Sequence, residues 1–193
     1  MTTAASGTTT DGPRPKLLLH VCCGPCATEV IRRLHEEYEI VGFFHNPNIW
    51  PEEEYGRRLL EVQRLSALWH VLVDVGLYDH EAFLAAARGM EGEPEGGQRC
   101  ATCFRLRLEA AAEAALANGC SVVASTLTIG RNKRAETVNA IGREACAPRG
   151  LRFLEADWKK QGGEQQSAAM SKELGMYRQH YCGCEFSRRG REH

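Results

Sequence analysis

Lys16-Leu17-Leu18-Leu19-His20-Val21-Cys22-Cys23-Gly24-Pro25-Cys26 is the stretch that decides the fold. The short apolar run from Lys16 to Val21 reads as a buried parallel strand, ending at a group of cysteines. Directly after it Ala27, Val30, Ile31, Leu34 and Tyr38 recur at helical spacing and give one apolar face. A strand that runs through a tight turn into an amphipathic helix is the start of a βα unit.

The same alternation continues outward. Ile40 to Phe44 reads as a second buried strand, broken by Asn46-Pro47-Asn48, and Pro51 suits the first turn of a helix striped by Tyr55, Leu59, Val62, Leu65 and Trp69. Val71 to Val75 is a third strand, followed by a short helix near Asp79 to Arg88. Gly89 to Gly97, with four glycines, a proline and three glutamates, reads as a mobile loop. Phe104, Leu108, Ala111 and Ala115 mark a long helix from about Cys100 to Asn118-Gly119. Cys120 to Ser125 is a fourth strand, Arg131 to Ala145 a helix, Leu151 to Leu154 a fifth strand, and 165–174 a last helix before an irregular run through Cys184. Five βα units imply an α/β fold, a single parallel-sheet domain over residues 16–187 with helices on both faces and right-handed crossovers. Such folds bind ligands at the carboxyl ends of their strands, where the first cysteine group falls.

At 193 residues, 43% apolar and 25% charged, the chain is a one-domain length of ordinary globular composition. Its net charge of −1 neither favours nor excludes a charged partner. No stretch reaches the apolar length of a membrane span. Residues 1–15, rich in Thr, Ala, Gly and Pro, read as a disordered tail without the apolar core of an export signal, and 188–193 as a basic tail. The expectation is therefore a cytoplasmic, reducing environment, where grouped cysteines bind metal or do redox chemistry more often than they form disulfides.

Seven of the nine cysteines fall into three groups: Cys22, Cys23 and Cys26; Cys100 and Cys103; Cys182 and Cys184. Cys100 and Cys103 share one face of a helix start, and Cys182 and Cys184 point the same way in an extended segment. The first group sits where helix-terminal N–H groups favour thiolates. Seven thiols exceed what one structural zinc can use, which argues for an iron–sulfur cluster with room for a second metal. Two other readings compete. A zinc site would leave three thiols idle. The Cys23-Gly24-Pro25-Cys26 signature of thioredoxin-type proteins would leave five unexplained. Cys120 and Cys146 stand alone and read as small buried residues.

With these residues in view, the chain resembles the cobalamin-independent epoxyqueuosine reductases, the QueH family. The resemblance rests on His20 to Cys26, on Asn46-Pro47-Asn48-Ile49 with Glu54-Tyr55, on Glu93 to Cys100, and on Ser171 to Gly175 through Tyr181-Cys182-Gly183-Cys184. It implies reduction of epoxyqueuosine to queuosine at the wobble position of tRNA, on an adenine nucleotide alpha hydrolase-like (HUP or PP-loop-like) fold. It further implies a 4Fe–4S cluster beside a mononuclear iron, no cobalamin, and an unidentified electron donor. Some relatives carry Asp at the position of Cys26, so Cys26 is expected on the lone iron and Cys100 and Cys103 on the cluster. Four sulfurs for the cluster and three for the iron account for all seven, with Cys22, Cys23, Cys182 and Cys184 completing the two sets.

Removing an epoxide oxygen needs electrons, protons and a Lewis acid. His20 is a candidate hydrogen-bond or proton donor beside the cysteines, and His45 and Asn46 end the second strand at the same edge. For the RNA, Arg131, Lys133, Arg134, Lys159 and Lys160 belong to a stretch with eight bases against four acids, a candidate phosphate track. Gly130-Arg131-Asn132-Lys133 is a candidate anion site at a helix start. Tyr177, Arg178 and Tyr181 flank the last cysteines, where a base could stack. Two alternatives stand beside the reductase. An iron–sulfur tRNA thiolase needs ATP, yet the turn after the first strand lacks the second glycine, serine and aspartate of a phosphate loop, so no ATP is expected. A non-catalytic zinc module binding RNA would be colourless.

Overall fold

A computed structural model describes residues 12–189. Most of the expected N-terminal and basic tails therefore lies outside the described residues. Five strands, β1 (Lys16–His20), β2 (Glu39–Phe44), β3 (Val73–Val75), β4 (Val122–Ser125) and β5 (Arg152–Phe153), form one sheet in the order β3-β2-β1-β4-β5. Each neighbouring pair is parallel, with Leu17 beside Ile40 on one side and Val122 on the other. The α/β class expected from the alternation is the class observed.

The two-residue period of a strand sorts β1 between two cores. Leu17, Leu19 and Val21 pack with Val30, Ile31 and Leu34 of α1 (Gly24–Leu34) and with Tyr55, Val62 and Leu65 of α2 (Glu52–Trp69). Leu18 points the other way, into a core shared with Phe104, Leu108 and Ala111 of α4 (Gln98–Ala117) and Val138 and Ile141 of α5 (Ala135–Cys146). Cys120 and Cys146 are buried in that second core. A smaller cluster joins Phe83 and Ala87 of α3 (His80–Ala87) to Cys103 and Cys184, and α6 (Gly163–Glu173) and α7 (Glu185–Arg189) complete the set of helices.

The strand order reverses at β1: the chain moves from β1 outward through β2 and β3, then returns to β4 on the other side. That reversal opens a crevice beyond the carboxyl ends of β1 and β4. The turn holding Cys22, Cys23 and Cys26 fills one side of it. Gly24 is required there because Met176 and α2 come so close that an added Cβ would sit 2.6 Å from Met176 Cε and 3.0 Å from the Glu61 carbonyl oxygen.

Three expected elements differ. The helix expected from Arg131 begins at Ala135, because Thr126–Ile129 forms a 3-10 turn after β4, capped by Ser125 Oγ accepting from the Leu127 N–H. The expected mobile loop, Gly89 to Gly97, is pinned from inside: buried Arg99 donates through Nη1 to the carbonyls of Met90, Glu91 and Glu93. Cys182 and Cys184 do not lie in an extended segment. Gly183 takes a φ of +134°, which bends the backbone there and favours glycine.

Candidate functional site

The crevice contains a cavity of about 490 Å³. It is lined by Cys22 and Cys26 from the β1 turn, Asn46 and Asn48 from the loop after β2, Arg58 from α2, Arg107 from α4, Gly130 to Lys133 from the loop after β4, and Gln179 to Cys182 from the C-terminal segment. Two of the three expected thiol groups reach its wall, through Cys22 and Cys26 and through Cys182, although most of the chain lies between them.

Cys22, Cys23 and Cys26 bring their sulfurs within 4.8 Å of one another, and no other trio of metal-ligating side chains among the described residues comes so close. The three thiols set one another's ionisation apart. Hydrogen bonds from Cys23 and then Cys26 pull the Cys22 pKa well below the thiol range, assisted by Arg107 and Thr126. The Cys22 anion in turn pushes Cys23 up to about 12, and Cys22 and Cys23 raise Cys26. Cys23 and Cys26 thus hold their protons unless a positive ion takes the protons' place. Thr126 clasps Cys22 from the 3-10 turn after β4: its hydroxyl donates to Sγ at 3.2 Å and accepts from the Cys22 N–H at 3.0 Å.

Of the other four thiols, Cys182 lies on the cavity wall, and Cys182 and Cys184 are within electrostatic reach of Cys100 and Cys103. Burial, and then the nearby Cys182 and Cys184, raise Cys100; burial also pushes Cys103 up to about 12, again with Cys182 and Cys184 opposing its ionisation. Cys103 and Cys184 pack in the same apolar cluster under α3. Cys100 accepts from the Gly96 N–H at 3.2 Å, and Cys182 from Lys133 Nζ at 3.0 Å. All nine cysteines are free thiols, so none is spent on a disulfide.

Two buried arginines tie the groups together. Arg107, 3% exposed, donates to Asn46 Oδ1 at 2.5 Å and reaches Cys103 Sγ at 3.8 Å, and its charge also favours the Cys22 thiolate. Arg58, 3% exposed, is paired with Glu54 at 2.7 Å and donates to the carbonyls of Cys182 and Tyr181. Burial opposes the Arg58 charge, yet its neighbours Cys23, Glu54 and Cys182 outweigh it and hold the guanidinium charged. A guanidinium keeps its proton under these conditions, which makes arginine suited to balancing several thiolates in a dry site. Neither arginine stood out in the sequence. The i,i+4 spacing of Glu54 and Arg58 was the available signal, but it also fits an ordinary surface pair.

Several sequence expectations change place. His20 is fully buried and does not line the cavity: Nε2 donates to the His45 carbonyl at 3.2 Å, leaving Nδ1 to accept from Ser125 Oγ at 2.9 Å. Burial, and then Arg107, lower its pKa to about 3. With both nitrogens engaged, its geometry fits a neutral brace between β1, β2 and β4 better than a proton donor. His45 also stays off the cavity wall, whereas Asn46 is on it. Lys133 and Lys159 are turned inward. Burial opposes the Lys133 charge, but Cys182 and Glu95 outweigh it and raise its pKa. Lys159 Nζ donates to the carbonyls of Lys133 at 2.7 Å and Thr128 at 3.0 Å. Arg131, Arg134, Lys160 and Arg178 remain exposed, with Arg131 paired to Glu164. Because α5 starts only at Ala135, Gly130 to Lys133 forms a turn and not a helix start. Tyr181 lines the cavity mouth, donates to the Trp50 carbonyl at 2.6 Å, and lies under the Arg58 guanidinium at 5.3 Å.

Among the described residues, two buried side-chain oxygens have no hydrogen-bond donor, Asn48 Oδ1 and Gln179 Oε1. Both side chains line the cavity. A buried acceptor left unpaired costs about 1–3 kcal/mol, so each marks a place where something else completes the bonding.

Comparison with known proteins adds an independent finding. Residues 17–190 match the family model described as epoxyqueuosine reductase QueH. The chain is 40% identical over 177 residues to the epoxyqueuosine reductase QueH of Acinetobacter baylyi, covering 90% of this chain and 81% of that protein. It is 36% identical over 185 residues to that of Staphylococcus epidermidis (92% and 78%), and 32% over 174 residues to that of Thermotoga maritima (89% of each). Among solved structures it is similar to a predicted subunit of tRNA methyltransferase from Methanocaldococcus jannaschii, with a TM-score of 0.53, 12% identity, and coverage of 82% and 88%. That likeness concerns the fold alone.

Proposed function

This chain belongs to the epoxyqueuosine reductase QueH family, and on that premise we propose that it reduces epoxyqueuosine in tRNA with two metal groups held by its seven grouped cysteines. The reaction removes the epoxide oxygen as water and leaves an alkene, consuming two electrons and two protons. The observation that carries the reading is the convergence of Cys22, Cys23 and Cys26 at the crevice, with Cys182 on the same cavity wall and Cys100, Cys103 and Cys184 near it. Cys22, Cys23 and Cys26 would hold a single iron, and Cys100, Cys103, Cys182 and Cys184 a 4Fe–4S cluster. When bound, the iron supplies Lewis acidity facing the cavity and the cluster supplies electrons one at a time.

The donor sets fit these groups. Three sulfurs within 4.8 Å would suit one ion, with Cys22 and Cys26 on the cavity wall. Arg58, Arg107 and Lys133 supply the positive charge that so many sulfurs require.

A cavity of about 490 Å³ accommodates a nucleoside turned out of the anticodon loop, the usual way enzymes reach a base. Tyr181 offers a stacking face at its mouth. The exposed cations Arg131, Arg134, Lys160 and Arg178 form a shorter phosphate track than the sequence suggested, and binding weakens as salt rises. No helix among the described residues is long and apolar enough to cross a membrane. The test is iron and sulfide analysis of anaerobically purified protein, followed by incubation with a strong reductant and tRNA carrying epoxyqueuosine. Conversion to queuosine by brown protein supports the reading; intact epoxide, or colourless zinc protein, overturns it.

A further inference from the structure

We propose that Asn48 and Gln179 recognise the hydroxyl groups on the five-membered ring of the substrate, an inference that rests on the reading of the cavity as the epoxyqueuosine site. The only buried side-chain oxygens without a donor among the described residues belong to these two amides, and both amides line one cavity. Asn48 is 1% exposed, so neither protein nor bulk water serves its oxygen. Gln179 is anchored at the opposite end of its amide, where Nε2 donates to Cys23 Sγ at 3.0 Å. That contact leaves Oε1 as an acceptor beside the thiol trio.

Amide oxygens accept and do not donate, so the ligand must bring O–H or N–H groups. The epoxide of the substrate lies on a cyclopentane ring that also carries two neighbouring hydroxyls. Bringing the epoxide to Cys22, Cys23 and Cys26 brings those hydroxyls to the wall beside Gln179. The N–H donors of the base edge lie on the far side of the linking methylene-amine, away from the reacting carbons. Asn48 comes from the loop after β2 and Gln179 from the C-terminal segment, so two acceptors reach the ring from different elements, one for each hydroxyl. A site built this way rejects a substrate lacking the hydroxyls, because both oxygens then stay unpaired.

The test compares binding of two anticodon stem–loops to metal-loaded protein under anaerobic conditions. One carries queuosine; the other carries the aminomethyl-7-deazaguanine that lacks the ring. The wild type is expected to bind the queuosine loop about 10–100-fold more tightly. Asn48→Leu and Gln179→Met should each lower that ratio about tenfold while leaving affinity for the ringless loop unchanged, which also shows that the variants are folded. Iron content is measured for each; where Gln179→Met sheds iron, the Asn48→Leu ratio decides. An unchanged ratio overturns the inference. So does equal weakening for both loops, which moves the contact to the base edge. Failure of the wild type to reduce the epoxide overturns the reductase reading and this inference with it; turnover with an unchanged ratio overturns this inference alone.

Discussion

Two groups of thiols sit side by side in this protein and are assembled by opposite means. Cys22, Cys23 and Cys26 come from five consecutive residues in one strand-to-helix turn, held by the end of β1 and the start of α1. Cys100 and Cys103 come from the first turn of α4, and Cys182 and Cys184 from a bend some 80 residues later. The trio follows from chain order. The quartet depends on side chains that fasten the C-terminal segment to the body, above all Arg58, which grips the carbonyls of Tyr181 and Cys182, and Lys133, which grips the sulfur of Cys182. A local site survives loosening elsewhere, while an assembled one fails with its fasteners.

The sharpest way to break that distinction is to delete one ligand from each group. Cys26→Ala is expected to lower turnover by about 10³-fold while keeping most visible absorbance, since only the cavity-facing iron is lost. Cys103→Ala should lose both colour and turnover. Absorbance spectra with iron counts read the difference, and the reverse pattern would exchange the two assignments. Brief anaerobic chelation should likewise abolish activity before colour fades, because two sulfurs of the trio line the open cavity.

Next comes the fastener. Arg58→Ala leaves buried Glu54 without its charged partner, keeping the Tyr177 hydroxyl, and frees two carbonyls, a loss of about 3–5 kcal/mol in chemical unfolding. Cluster iron should leave more readily than trio iron. Equal loss from both would show that the trio, too, depends on α2.

Lys133→Met has a smaller expected effect. It removes the ammonium that donates to Cys182, so an electron arriving at the quartet meets less positive charge. The cluster potential should fall by about 60 mV, the one-electron equivalent of tenfold, as read by anaerobic redox titration. An unchanged potential would place Cys182 outside the cluster.

Thr126→Val should matter least. It removes the hydroxyl that clasps Cys22 and keeps the shape, costing about 1 kcal/mol of stability and about tenfold in affinity for trio iron, with the quartet untouched.

Strand and helix alternation was legible because buried parallel strands read as short apolar runs and helices as stripes, both local patterns. The bounds slipped where a tertiary contact intervened: Ser125 capping the turn after β4 delayed α5, and Arg99 reaching back under the glycine-rich run converted a loop expected to move into one held at three carbonyls. The candidate site shows the same division. Cysteines announce themselves through spacing. Arg107 and Gln179 are ordinary residue types on unremarkable stretches, and Asn48, though inside the Asn46-Pro47-Asn48-Ile49 motif, becomes visible as an unpartnered acceptor only once distant segments meet. Lys133 and Lys159 misled for a related reason, since a sequence displays charge but not whether the charge faces water or a neighbouring carbonyl.

The amino-acid sequence by itself determined the parallel α/β architecture, the placement of the first thiol group at the carboxyl edge of the sheet, and the surplus of sulfur over any single zinc. Those features depend on neighbours in the chain, where geometry is set by two- and 3.6-residue periods. Only the tertiary structure decided that Cys22, Cys23 and Cys26 bring their sulfurs within 4.8 Å of one another, that two buried arginines lie among the thiols, and that two amide oxygens face the cavity without partners. The physical reason is burial. Taking charges and polar groups out of water makes each one's partner decisive, and those partners come from elements that the chain brings together only when it folds.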